Sequence, residues 1–155
     1  MTDTRFIKTD NEITDSIVNV CKLLDNNRNK LELNEIYNYD EMMIPRTPAI
    51  SVVFDNALPV SKGLGNRCNL MNTNLIIYLY LEKLSLGRET LSHIERLGRL
   101  VKILYSQSSL YGLCHSEPMT ITNATMAGRR LESNLFLVGQ VNITVPVRFC
   151  WEANP

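Results

Sequence analysis

Histidine is nearly absent from this 155-residue chain, His93 and His115 being the only two, and tryptophan occurs once. A histidine-dependent triad or metal centre needs partners at recognisable offsets, and neither residue has them. The four cysteines, Cys21, Cys68, Cys114 and Cys150, form no C-x-x-C pair. Their wide spacing argues against a zinc site and, in a reducing compartment, for free thiols. Long apolar runs are lacking too: Leu75 to Leu81 is far too short to span a bilayer, and Met1 to Asp10 carry no apolar h-region, so neither a membrane helix nor a signal peptide is expected. Net charge is missing as well. Sixteen basic residues balance sixteen acidic ones, which removes any whole-chain argument for binding nucleic acid or another polyanion.

Sequence motifs for chemistry are equally scarce. Lys62-Gly63-Leu64-Gly65-Asn66-Arg67 lacks the Walker spacing and does not sit between a strand and a helix, so it reads as a flexible loop and not as a phosphate cradle. Cys114 and His115 are adjacent, and adjacent side chains in an extended segment point opposite ways, which makes no nucleophile–base dyad. Asn123-Ala124-Thr125 and Asn142-Ile143-Thr144 have the glycosylation acceptor form, but without a secretory signal they read as ordinary strand residues. No catalytic residue, cofactor or metal is expected on these grounds.

What the chain does have is architecture. With 45% apolar residues and the length of one ordinary domain, it can build a real core. The organising stretch is Leu135 to Trp151, where every odd position is apolar or glycine and the even positions from Gln140 are mostly polar. A period of two buries one face of a strand and wets the other. At about 3.3 Å per residue this run reaches about 55 Å, far beyond the common strand. Gly139 is the expected bend or bulge. Pro146 lacks a ladder donor, which places that end at a sheet edge, at a bulge, or where the bond is not required.

Upstream, Thr9 to Leu31 reads as a first helix with Thr9 and Glu12 as a capping box and a stripe of Ile13, Ile17, Val20, Cys21 and Leu24. Ile36 to Pro48 is a connector with room for a short edge strand, kept extended by Pro45 and Pro48. Ala49 to Asp55 is β-rich, Asn56 to Asn72 is a long loop or an open β-arm, and Asn74 to Lys83, apolar on both faces, is a central strand covered twice. Gly87 to Ser106 is the second helix, with Leu91, Ile94, Leu97, Val101 and Leu104 inward and Glu95 poised to pair with Arg99. Met119 to Met126 is a further strand, joined to the last by an extended hairpin, Ala127 to Asn134. The expected fold is therefore a single α+β domain over residues 1 to 155, in the order α-β-β-α-β-β. Its sheet is mostly antiparallel, packed by two helices and extended by β-arms. Arg129 and Arg130 fall on the hairpin, where a solvated tip is the ordinary reading and contact with a phosphate, an acidic partner or an assembly lumen the functional one.

The N-terminal helix, the Pro48-Ala49-Ile50-Ser51-Val52-Val53 strand, the Asn72 to Tyr80 strand, the amphipathic helix and the closing Val138 to Phe149 strand together resemble, as an order of elements, the tail-terminator and head–tail joining proteins of tailed bacteriophages. The resemblance implies a small non-enzymatic virion protein, assembled in the host cytoplasm, that forms a ring, commonly a hexamer. That ring would cap the tail tube protein and meet the neck, connector or head-completion protein, with passage of DNA through its lumen and no membrane contact. Tube terminator, sheath terminator and neck adaptor are all compatible with it. Lys62, Arg67, Arg129, Arg130 and Arg148 are the candidate intersubunit or docking residues. The alternative is a small enzyme or ligand-binding domain using 56–72 as a lid over Cys68 or His115. A third reading is an adaptor that binds peptides along a sheet edge.

Overall fold

A computed structural model describes residues 11–60, 68–83, 91–106 and 119–150. Its elements run α1 (Glu12–Asn26), α2 (Arg28–Leu31), β1 (Glu35–Tyr37), β2 (Ala49–Pro59), β3 (Cys68–Lys83), α3 (Leu91–Ser106), β4 (Thr120–Leu131) and β5 (Asn134–Cys150). The five strands form one sheet in the order β1-β2-β3-β5-β4. β1 runs parallel to β2 and every other pairing is antiparallel. The class is α+β with a mixed sheet. Against the expected order a short second helix is added, and the short edge strand for which the connector has room is β1.

The first helix begins at Glu12, with Asn11 as its cap: Asn11 Oδ1 accepts from the backbone N–H of Ile13 at 3.0 Å and of Thr14 at 3.1 Å, satisfying two donors the helix leaves orphaned. Thr9, the expected cap, lies outside the described residues. The helix ends at Asn26, inside the polar segment Asp25 to Lys30, with Asn27 (φ −111°, ψ 17°) as its C-cap; α2 adds one turn to Leu31 and is closed by the left-handed Glu32 (φ 56°).

Both faces of the sheet carry apolar clusters. On one, Ile50, Val52, Leu75, Ile77, Leu79, Val141, Ile143, Val145 and Val147 pack with Val20, Leu23 and Leu24 of α1 and Leu100 and Leu104 of α3. On the other, Tyr80, Phe136, Val138, Ala49 and Leu131 surround Ile44, which comes from the strap of residues 38–48 that links the parallel strands β1 and β2. β3 is thus central and covered twice, as its two apolar faces demand.

Gly139 is not the bend. Its register runs regularly between Leu79 and Met126, and the irregularity on that ladder lies in β3, between Tyr80 and Glu82. Glycine there leaves room for a close approach by α3: a Cβ at 139 would stand 2.9 Å from Leu97 Cδ1, so the end of the Leu97 side chain would have to shift. Pro146 behaves as its chemistry requires, since β4 stops pairing at Thr144 and β5 has only β3 beside it further on.

The described residues of 56–72 form a β-arm, one of the two expected forms of this segment. Asn56 to Pro59 pairs with Met71 to Asn74, and β3 from Cys68 pairs with β5 through Cys150. The sheet beyond Thr144 is therefore a three-stranded arm of β2, β3 and β5. A bulge at Asp55 marks where the arm begins on β2.

Candidate functional site

At the end of the sheet opposite the arm, β3 finishes at Lys83 and the β4–β5 turn lies at Glu132-Ser133, with Glu132 left-handed (φ 54°). The expected hairpin of 127–134 is instead strand as far as Leu131, so Arg129 sits within β4, opposite Phe136, and not at a solvated tip. Alternation aims Arg129 at the strap side. There its guanidinium donates twice to Asp40, NH1 to Oδ1 and NH2 to Oδ2, each at 2.9 Å, and NH1 also donates to the Tyr80 hydroxyl. The same guanidinium lies 3.9 Å from the centre of the Tyr78 ring. A bidentate carboxylate and an aromatic face are the two partners a planar guanidinium fits best. Above all, the hydrogen bonds Arg129 donates to Asp40 hold its guanidinium charged well beyond its usual range, and burial pushes the Tyr80 hydroxyl above its ordinary value against the opposing pull of Arg129.

This clasp pins the strap across the second apolar cluster and shapes a cleft of about 610 Å³. Tyr37, Met42, Met43, Ile44, Pro45 and Phe136 supply its apolar lining, with Glu41, Glu132 and Lys83 as its charged members. Met43 is 70% and Met42 47% exposed, unusual for apolar side chains on a strap already folded onto a core. Glu41 accepts from the Tyr39 hydroxyl at 2.6 Å and from the Met43 N–H at 3.0 Å; the first of these bonds, most of all, holds its carboxyl below the usual carboxylate range. Local bonds within the strap thereby add to the hold of the clasp.

The sequence matches no protein-family model and no curated protein. The geometry alone carries the reading.

Between cleft and arm, the strap-side face of the sheet holds three rows without a charge: Ser51-Tyr78-Gln140-Thr125, Val53-Ile76-Asn142-Asn123 and Asn56-Asn74-Thr144-Thr120. Thr144 Oγ1 donates to Asn74 Oδ1 at 2.6 Å, Asn74 Nδ2 donates to Asn56 Oδ1 at 2.5 Å, and Gln140 Nε2 donates to Asn142 Oδ1 at 3.1 Å. At the arm, Leu58 is 56% and Val60 48% exposed, and Arg148, opposite Leu70, is exposed as well.

Of the five expected docking residues, Arg129 is engaged within its own chain, Arg130 is exposed on the other face of β4, and Arg148 lies on the arm. Lys62 and Arg67 lie outside the described residues, as do Cys114 and His115. Cys68 begins β3, and Cys21, on α1, is fully buried in the core. His93 Nε2 stands 3.4 Å from Glu82 Oε1, joining α3 to the bulged end of β3. Among the described residues no three His, Cys, Asp or Glu side chains are placed to hold a metal, and no helix is long and apolar enough to cross a membrane. Sequence reasoning missed the Asp40–Arg129 clasp and the cleft beneath it. The only signal was the pair of prolines that hold 38–48 extended.

Proposed function

We propose that this chain is a non-enzymatic structural protein of a tailed-phage virion that assembles into a ring of identical copies at a tail or neck junction. The observation that carries the reading is the three-stranded arm, which extends the sheet past β4 and exposes Leu58 and Val60 at its end. Ordering each backbone residue costs about 1 to 2 kcal/mol; Val145 and Val147 offset part of that by packing into the core, but the tip recovers little where Leu58 and Val60 meet water. Contacts with neighbouring copies supply the missing burial. The uncharged strap-side rows favour the same reading. A wall bearing lysine or arginine would hold DNA by releasing its counterions, whereas a neutral wall of amides and hydroxyls lets a polyanion pass. On this reading that face lines the lumen, the tail tube protein and a neck or head-completion protein are the axial partners, and a hexamer is the expected ring order.

The test is the composition of purified particles together with electron microscopy of the isolated protein. Stoichiometric presence at the tail–neck junction and closed rings of uniform size are expected. Absence from purified particles overturns the proposal.

A further inference from the structure

The two ends of the sheet differ in kind. One carries the arm, where Leu58 and Leu70 share the strap-side face and the Val60 N–H donates to the Leu70 carbonyl at 2.9 Å. The other carries the cleft under the strap, lined by Met42, Met43 and Phe136. Along β3 they are separated by the 16 residues from Cys68 to Lys83, about 50 Å at the rise of an extended chain. A copy therefore cannot fill its own cleft with its own arm.

Charge distinguishes them as well. The segment 56–72 includes Lys62 and Arg67 and no aspartate or glutamate, and Arg148 stands beside it on β5. The cleft has two carboxylates, Glu41 and Glu132, against one amine, Lys83. Its volume of about 610 Å³ falls within the ordinary range of a pocket that takes a few apolar groups oriented by polar ones. Methionines at its mouth adapt to an irregular apolar partner.

Resting on the ring reading above, we infer that the apolar end of the β2–β3 arm of one copy seats in the strap cleft of the next. The contact joins unlike surfaces and is therefore heterologous, the kind that closes into a ring when the rotation between copies permits. Leu58 and Val60 supply the apolar anchor, Met42 and Met43 receive it, and Arg148 approaches Glu41 or Glu132 at the rim. The Asp40–Arg129 clasp acts as a positioning device, because it holds the strap that forms one wall of the receptor.

The experiment uses the full chain and two variants, Leu58→Asp in the arm and Met43→Asp in the cleft, each checked for an unchanged thermal melt; Val60→Asp and Met42→Asp replace either one that melts early. Mass is measured by analytical ultracentrifugation, alone and in a 1:1 mixture. The wild-type chain is expected to self-associate, and each variant to associate about 30-fold more weakly or worse. The mixture should form a dimer and nothing larger, since it contains one intact arm and one intact cleft that can meet. Variants that keep the wild-type mass, or a mixture that stays monomeric, overturn this docking mode while leaving a ring by another contact standing. A wild-type chain that stays monomeric at every attainable concentration overturns it too, and particle composition then decides the ring reading separately.

Discussion

Removing the clasp between Asp40 and Arg129 tests how firmly the strap is held. The two side chains are 37% and 26% exposed, so the pair is neither buried nor free in water. A typical exposed ion pair contributes about 0 to 1 kcal/mol. Two features place this one higher: the geometry is bidentate, at 2.9 Å for both bonds, and the guanidinium also covers the Tyr78 ring at 3.9 Å. Charge-assisted bidentate bonds are roughly twice as strong as neutral ones, and an exposed cation–π contact adds about 0.5 to 1 kcal/mol. Arg129→Met, which keeps much of the stem but loses both partners, should therefore cost about 2 to 3 kcal/mol, and Asp40→Ala about 1 to 2 kcal/mol.

The pairwise part is isolated by a double-mutant cycle in urea, with a coupling of about 1 to 1.5 kcal/mol expected. Because both groups touch solvent, that coupling should shrink in 1 M salt, where the Debye length falls to about 3 Å. A coupling below about 0.3 kcal/mol would lie within ordinary additivity error and refute the claim that the pair holds the strap. The same variants should weaken self-association, since they loosen a wall of the cleft without touching Met42 or Met43.

The remaining expectations concern the core and the aromatic cluster. Thr73 is fully buried opposite Val145, and its hydroxyl has no partner among the described residues, so Thr73→Val, equal in shape, should raise stability by about 1 kcal/mol; a loss in urea titration would reveal a bond to that hydroxyl. Gly139→Val should cost about 1 to 3 kcal/mol through Leu97, and Leu97→Ala in the same chain should recover part of it; full additivity of the two changes would contradict the close approach. Ile77→Ala, fully buried between the helices and the sheet, should cost about 2 to 5 kcal/mol by thermal melting. Tyr80 is raised above its unfolded value, so the stability it contributes as a neutral phenol is complete below the unfolded pKa, near pH 10, and lost as pH climbs through the folded one. Tyr80→Phe should accordingly flatten the fall in urea midpoint between pH 9 and 11, and an unchanged slope would exclude this hydroxyl as its source.

Periodicity in the sequence revealed those parts of the fold whose burial repeats over many residues. The odd row of β5 is long enough for the alternation to be unmistakable, and Glu95 and Arg99 pair at 2.8 Å as their spacing implies. The stripe of α3 holds only from Leu97 onward, with Leu100 and Leu104 buried, whereas Leu91 and Ile94, expected inward, are 84% and 46% exposed. α2 escaped because four residues cannot show a period, and β1 was legible only as room for a short edge strand in the connector. In the arm, the turn-forming residues Pro59, Gly63 and Gly65 concealed strands whose partners lie on β5, more than seventy residues away. The clasp was the least legible feature. Asp40 lies in a connector and Arg129 on a strand 89 residues later, and only the path of the strap across Ile44 and Tyr80 brings them together. Arg129, read as half of a basic hairpin, proved to be neutralised within its own chain. In the proposed assembly its role thereby passes from contacting a partner to holding the strap, and of the described candidates Arg148 and Arg130 keep exposed charges. A charge at a strand position cannot be assigned to solvent or to partner until the opposite face of the sheet is known to be covered or open.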